Sequence, residues 1–161
     1  MRFHRTPIQF EVGANVGPCF LSSAKRVDGE TKWAGKWTSI CITHGYKVED
    51  PRENKDRKLN VYFRDHYFVK DISDVEWNLG YFIRVLGGQP PLDYKDLDDY
   101  INKTVEVLNE LKGSEYYLKT RLHNKGEKLF LNRGFHPYVS KEKDMNYKEK
   151  EDEFHQFIAK Y

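Results

Sequence analysis

Two stretches of helical period lie back to back in the middle of the chain, which leaves the residues on either side, as far as 140, to strands and turns. Val75, Leu79, Phe82, Ile83 and Leu86 form one apolar stripe, and Leu97, Ile101, Val105, Leu108 and Leu111 form the next. Gly87-Gly88 stops the first and Gly113 the second, because the residue past a helix end often takes the left-handed backbone that glycine adopts without strain. Pro90-Pro91 keeps the two apart. Ser73-Asp74-Val75-Glu76 has the spacing of a capping box, which predicts Ser73 as the N-cap of a helix over 73–86. Asp93 is the expected N-cap of the second helix, over 94–112, with Leu92 and Leu97 spaced as a hydrophobic staple.

Before these helices the pattern changes to period two. Ile8 to Val12 alternates apolar and polar residues, Gly13 to Pro18 reads as a turn, and Cys19-Phe20-Leu21 opens a second strand. Asp28-Gly29 has the composition of a tight turn, and the β-branched run from Trp37 to His44 predicts a strand. Glu49 to Lys58 is charged and has no apolar side chain, the signature of a mobile loop; Lys58 to Lys70 returns to strand character. After the helices, Glu115–Leu122 and Glu127–Asn132 flank Asn124-Lys125-Gly126, as the arms of a hairpin flank its turn. Strands and helices do not alternate regularly, which argues against a doubly wound parallel sheet.

Side chains of a strand point alternately to its two faces. In the first hairpin arm Tyr116, Leu118, Thr120 and Leu122 share one face, and Tyr117, Lys119, Arg121 and His123 the other. In the second arm Leu129 and Leu131 stand opposite Lys128, Phe130 and Asn132. With the leucines inward, Tyr117, Lys119, Arg121, Lys128 and Phe130 are expected on one outer surface. Along 58–70, Val61, Phe63 and Val69 share one parity and Tyr62, Arg64, His66, Phe68 and Lys70 the other. Asp65 and Tyr67 fall on the apolar side, which predicts a bend or bulge near Asp65.

The chain has 11 Tyr, 10 Phe and 3 Trp, 15% of its residues, more rings than a core of this size needs. Its 27 Lys and Arg nearly balance 25 Asp and Glu, for a net charge of +2, so an electrostatic footprint has to come from segregation of charge. Rings interleaved with cations on one sheet face suit single-stranded nucleic acid, whose phosphates need cations and whose exposed bases stack on aromatic planes. The expected binding residues are Tyr62, Arg64, Phe68, Lys70, Tyr117, Lys119, Arg121, Lys128 and Phe130, with Trp33, Trp37, Phe135 and Tyr138 behind them. The same rings could instead pack beneath a helix with the cations extended around them.

Trp77-Asn78-Leu79-Gly80-Tyr81-Phe82-Ile83-Arg84-Val85-Leu86-Gly87 is similar to the W-x-L-x-x-F-x-x-x-L-G helix of phage-type single-stranded DNA-binding proteins. Asp96-Leu97 and the run Leu111-Lys112-Gly113-Ser114-Glu115-Tyr116-Tyr117-Leu118-Lys119 continue the resemblance, which spans 8–140 in element order and 77–139 in matching residues. It implies a β-rich α+β chain: an OB-fold-like five-stranded barrel with two inserted helices over residues 1–140, and a charged C-terminal helix or tail over 141–161. It also implies binding of single-stranded DNA with little sequence preference, in replication or recombination, RNA being the alternative ligand and a second copy or replication proteins the further partners. The chain departs from the family in the length of the helix from Asp93 to Leu111. It also departs in the mixed charges of Lys148-Glu149-Lys150-Glu151-Asp152-Glu153, where many such proteins carry a purely acidic tail.

Other chemistries have less support. Asp93, Asp96, Asp98 and Asp99 could hold two metal ions as in a nuclease, but acids in a helix's first turn are explained by its dipole. The six histidines lack zinc spacing, no nucleophile elbow or phosphate loop is present, and no cofactor is expected. Cys41 would be a nucleophile only with His44 beside it, and a buried structural thiol is the simpler reading. A protein–protein adaptor using Tyr, Phe and Arg as anchors is the second function class. Two cysteines, no secretory segment and no run of ~20 apolar residues lead to the expectation of a cytoplasmic protein without a membrane span.

Overall fold

The computed structural model describes residues 9–10, 14–49, 58–120, 122–125, 128–131 and 138–149. Within them the strands are β1 (Gln9–Phe10), β2 (Ala14–Thr31), β3 (Gly35–Glu49), β4 (Lys58–Phe68), β5 (Glu115–Thr120), β6 (Leu122–Lys125), β7 (Lys128–Leu131), β8 (Tyr138–Ser140) and β9 (Lys148–Glu149). The helices are α1 (Ile72–Val75), which runs through a π turn at Glu76–Gly80 into α2 (Tyr81–Val85), and α3 (Leu97–Glu110). The fold is β-rich α+β. Five antiparallel strands form an open sheet in the order β4-β3-β2-β5-β8, and β9 pairs in parallel with the start of β2. A second sheet has the order β1-β6-β7.

β2 holds the main sheet together because it serves two neighbours in succession. Its first part, from Ala14 to Phe20, pairs with β5, and the part from Cys19 to Thr31 pairs with β3. Register shifts between Val16 and Cys19 and between Leu21 and Ser23 let it bend from one partner to the other. The turn expected at 13–18 is therefore, from Ala14 on, a bent strand. The turn expected at Asp28-Gly29 is likewise strand: Gly29 pairs with Trp37, and the chain reverses over 32–34.

The inner face of the sheet carries Leu21, Ala24, Ile40, Ile42, Tyr46, Tyr67, Tyr116 and Leu118, all buried. The helices cover this face with Val75, Leu79, Phe82, Ile83 and Leu86, as their period predicted, and with Tyr100, Ile101 and Leu108. The docking of α3 is pinned by polar groups. The Asn109 side chain accepts from Ala24 N (3.1 Å) and donates to Ala24 O (2.8 Å), and Arg26 pairs with Asp98 at 2.7 Å.

Both caps differ from the expected ones. The first helix starts at Asp71, whose carboxylate accepts from Asp74 N while Asp74 accepts from Asp71 N, each at 3.1 Å; Ser73 only donates its hydroxyl to Asp71. A carboxylate with the same i, i+3 spacing two residues earlier outcompetes the hydroxyl for the free N–H groups. The second helix is capped by Asp96, which accepts from Asp99 N at 2.8 Å, so 94–96 stay outside it. Leu92 is 76% exposed and makes no staple with Leu97.

The expected hairpin forms, one residue later than its turn was placed: β6 pairs with β7 from Leu122–Leu131 to Lys125–Lys128, and β5, which belongs to the main sheet, ends at Thr120 on the other side of residue 121. No bulge interrupts β4, whose pairing with β3 is continuous from Ser39–Phe68 to Glu49–Lys58. The segment from 141 to 149 is not a detached helix or tail. Asn15, buried, donates to the carbonyls of Asp144 and Tyr147 and accepts from Asp144 N, and Lys119 pairs with Asp144 at 3.1 Å. Residues 50–57 of the charged loop, Arg121, Phe135 and the C-terminal Phe154, Phe157, Ile158 and Tyr161 lie outside the described residues.

Candidate nucleic-acid interface

The outer face of β2, β3 and β4 is where the structure gathers rings and cations. Register places side chains of three strands in rows across it: Phe20, Gly45 and Tyr62; Ser23, Thr43 and Arg64; Lys25, Cys41 and His66; Val27, Ser39 and Phe68; then Gly29 and Trp37. α3 and the helical segment 72–85 occupy the inner face, so neither of these helices covers the rings here. Tyr62 is 51% exposed and Phe68 59%.

Two aromatic clusters form at opposite ends of the face, each built over a glycine. Phe20 meets Tyr62 edge-on with centroids 6.2 Å apart, and Trp37 meets Phe68 edge-on at 5.4 Å. A Cβ on Gly45 would lie 2.2 Å from the Phe20 ring, and one on Gly29 would lie 2.1 Å from the Trp37 ring. The two glycines thus let these rings lie flat across the neighbouring strand, a close approach that any side chain would block.

Between the clusters the face is polar and cationic. His66 is held against β3 by Ser39 Oγ (3.2 Å) at Nδ1 and by the Cys41 thiol (3.8 Å) at Nε2, and it stacks on Phe68 at 6.4 Å. Burial pushes the Cys41 thiol up from its ordinary value, and Arg64 and Lys25 pull it back, so both cations flank this point of the sheet. Lys25, Lys47 and Arg64 are exposed; Glu49, at the end of β3, and Glu115 of β5, the partner of Phe20, hold register positions on the same side, but none of the rows between the two clusters contains a carboxylate. Other acids lie elsewhere. Asp98, Asp99, Glu106 and Glu110 belong to α3, and Asp65 points inward to His44 Nε2 at 3.1 Å. Between the two clusters, a chain of net charge +2 thus presents cations without acids.

Four of the expected binding residues are brought together here. Tyr62, Arg64 and Phe68 stand on the outer face of β4, and Lys70 is exposed just past its end, with its backbone N–H held by Asp74 at 2.9 Å. The others are not on these three strands. Tyr117 and Lys119 are half-buried on β5, where Lys119 pairs with Asp144 and sits 5.4 Å over the Tyr147 ring. Lys128 and Phe130 are on β7, paired with β6 in the hairpin, and Phe130 stands opposite His123. Trp33 is exposed at the β2–β3 turn, and Trp37 joins the Phe68 cluster. Tyr138 pairs with Lys119 on β8. Phe20, Lys25 and Lys47 were not anticipated. Their signal was present in the alternation of β2 and β3, but reading 13–18 and 28–29 as turns broke the parity that would have placed Phe20 and Lys25.

The other chemistries lose their residues to structural roles. Asp96 and Asp99 cap α3, and Asp98 pairs with Arg26. Cys41 and His44 point to opposite faces of β3. His44 is instead buried between Asp65 and the Tyr116 hydroxyl, which contacts Nδ1 at 2.5 Å.

No family model matches this chain. No curated protein and no solved structure matches it either.

Proposed function

We propose that the outer face of β2, β3 and β4 binds single-stranded DNA, with little dependence on sequence. Tyr62, Phe68 and Trp37 stack bases, and Arg64, Lys25, Lys47 and Lys70 meet phosphates. The observation that carries this reading is a sheet face opposite α3 and the helical segment 72–85, with rings at both ends and, in the rows between them, Lys25 and Arg64 without a carboxylate. Stacking tolerates any base because every base has a π-face, which fits weak sequence preference.

The strand order supports an OB-type barrel. Taking β2, β3, β4, β5 and β8 as five consecutive strands, the order is third, second, first, fourth, fifth, with the helices inserted between the third and fourth. That is the arrangement of an OB-fold opened between its third and fifth strands, and in that fold the second and third strands present the oligonucleotide surface. Here those are β3 and β4. On this reading the protein is a non-catalytic accessory of DNA replication or recombination.

Anisotropy titration of a labelled oligo-dT, alongside a duplex of equal length, tests the proposal. The expected result is micromolar or tighter binding to the single strand at low salt and weaker binding to the duplex. Absence of binding to the single strand at micromolar protein would overturn it. A protein adaptor is the second reading, favoured by Trp77, 81% exposed, and Tyr81 one turn further along the helical segment. Partner capture through these rings would respond little to salt, whereas strand binding weakens steeply.

A further inference from the structure

We infer, on the nucleic-acid reading of this face, that it has two separate base-stacking stations and that four nucleotides is the shortest strand able to occupy both. The first station is Tyr62, backed edge-on by Phe20 over Gly45; the second is Phe68, backed by Trp37 over Gly29. Tyr62 and Phe68 lie on one unbroken stretch of β4, six residues apart on the same face. At ~3.3 Å per residue they are about 20 Å apart. A stacked strand advances ~3.4 Å per nucleotide and one with its bases splayed onto protein rings roughly twice that, so three steps cover the gap.

The residues between the stations suit the backbone rather than further bases. Ser23 and Thr43 are small, and Arg64 shares their row. His66 lies tied to Ser39 and Cys41 and backs Phe68 rather than offering a platform of its own. Arg64 and Lys25, approaching Cys41 from the two flanking strands, meet the phosphates that join the first base to the fourth. A three-nucleotide strand reaches one station; a four-nucleotide strand reaches both and gains a second stacking contact without a second association event.

The test is a length series of labelled oligo-dT from two to eight nucleotides, titrated at one low salt concentration with the full chain and with Phe68→Ala. Phe68 is largely exposed, so its truncation leaves the core in place. The expected result is a step of about 5- to 150-fold in affinity between three and four or five nucleotides, larger than the increments on either side. Phe68→Ala should abolish that step while changing three-nucleotide binding by no more than about twofold, the statistical weight of one station out of two. A smooth rise with length, or a step that survives Phe68→Ala, would overturn the two-station arrangement and leave strand binding itself standing. Failure of every oligonucleotide to bind would overturn both.

Discussion

Tyr62 and Arg64 lie two residues apart on the same face of β4, and truncating each should remove a different physical contribution to binding. Tyr62→Ala removes a ring that is half exposed and touches Phe20 only by its edge, so the core is unaffected. It should cost about 1–3 kcal/mol of affinity, one stacked base, at every salt concentration. With Lys25, Lys47, Arg64 and Lys70 each neutralising one phosphate, the slope of log affinity against log salt should be about −3, near 0.7 per contact for a single strand. Tyr62→Ala should keep that slope. Arg64→Ala should flatten it by ~0.7, which makes its loss about eightfold at 50 mM salt and close to nothing on extrapolation to 1 M. Anisotropy titrations with oligo-dT at four salt concentrations, on variants shown by thermal melting to be folded, measure both. The reasoning is refuted if the Arg64→Ala deficit does not change with salt, or if Tyr62→Ala flattens the slope as much as Arg64→Ala does.

Three further outcomes follow from the geometry. Gly29→Ala places a methyl 2.1 Å from the Trp37 ring, so the ring must leave the strand; near-UV circular dichroism should change, and stability should fall by about 1–3 kcal/mol in a denaturant titration. Tyr116→Phe removes the buried hydroxyl that contacts His44 Nδ1 and donates to Phe20 O at 3.3 Å, for a loss of about 2 kcal/mol, a Tm drop of roughly 4–8 °C by calorimetry. Asp71 is held below its ordinary pKa by the Ser73 hydroxyl and Asp74 N–H, and Asp99 by the Lys95 N–H and Lys103. A depressed folded-state pKa means stability that is present above about pH 4 and lost as pH falls through the depressed values. Melts from pH 5 to pH 2.5 should therefore show a falling Tm that is less steep in Asp71→Asn and Asp99→Asn.

Much of the secondary structure was legible because its signals are local. The stripe Val75, Leu79, Phe82, Ile83 and Leu86 is buried as its period requires, and Gly87 and Gly113 take positive φ at the helix ends. Tyr116, Leu118 and Thr120 face inward as their parity predicted, and so do Asp65 and Tyr67, without the expected bulge. Asp65 is accommodated there because His44 meets it across the sheet. The N-caps were misplaced because several acids and hydroxyls near each helix start have equivalent spacing, and only the path of the incoming chain chooses between them.

Alternation along a strand is a property of the backbone, so the sequence by itself determined which residues share a face: Tyr62, Arg64, His66 and Phe68 on one, Asp65 and Tyr67 on the other. It could not say which face stays open. That depended on where α3 docks, and the docking is set by contacts between residues far apart in the chain, Asn109 to Ala24 and Asp98 to Arg26. It could not join Phe20 to Tyr62 or Trp37 to Phe68 either. Those clusters exist because β2 bends through two register shifts and because Gly45 and Gly29 stand opposite the rings. A long-range contact likewise set Lys119 against Asp144, which alternation within one strand could not foresee. The alternation of rings and cations was written in single strands; the surface they make exists only once three strands are in register and the helices have taken the other side.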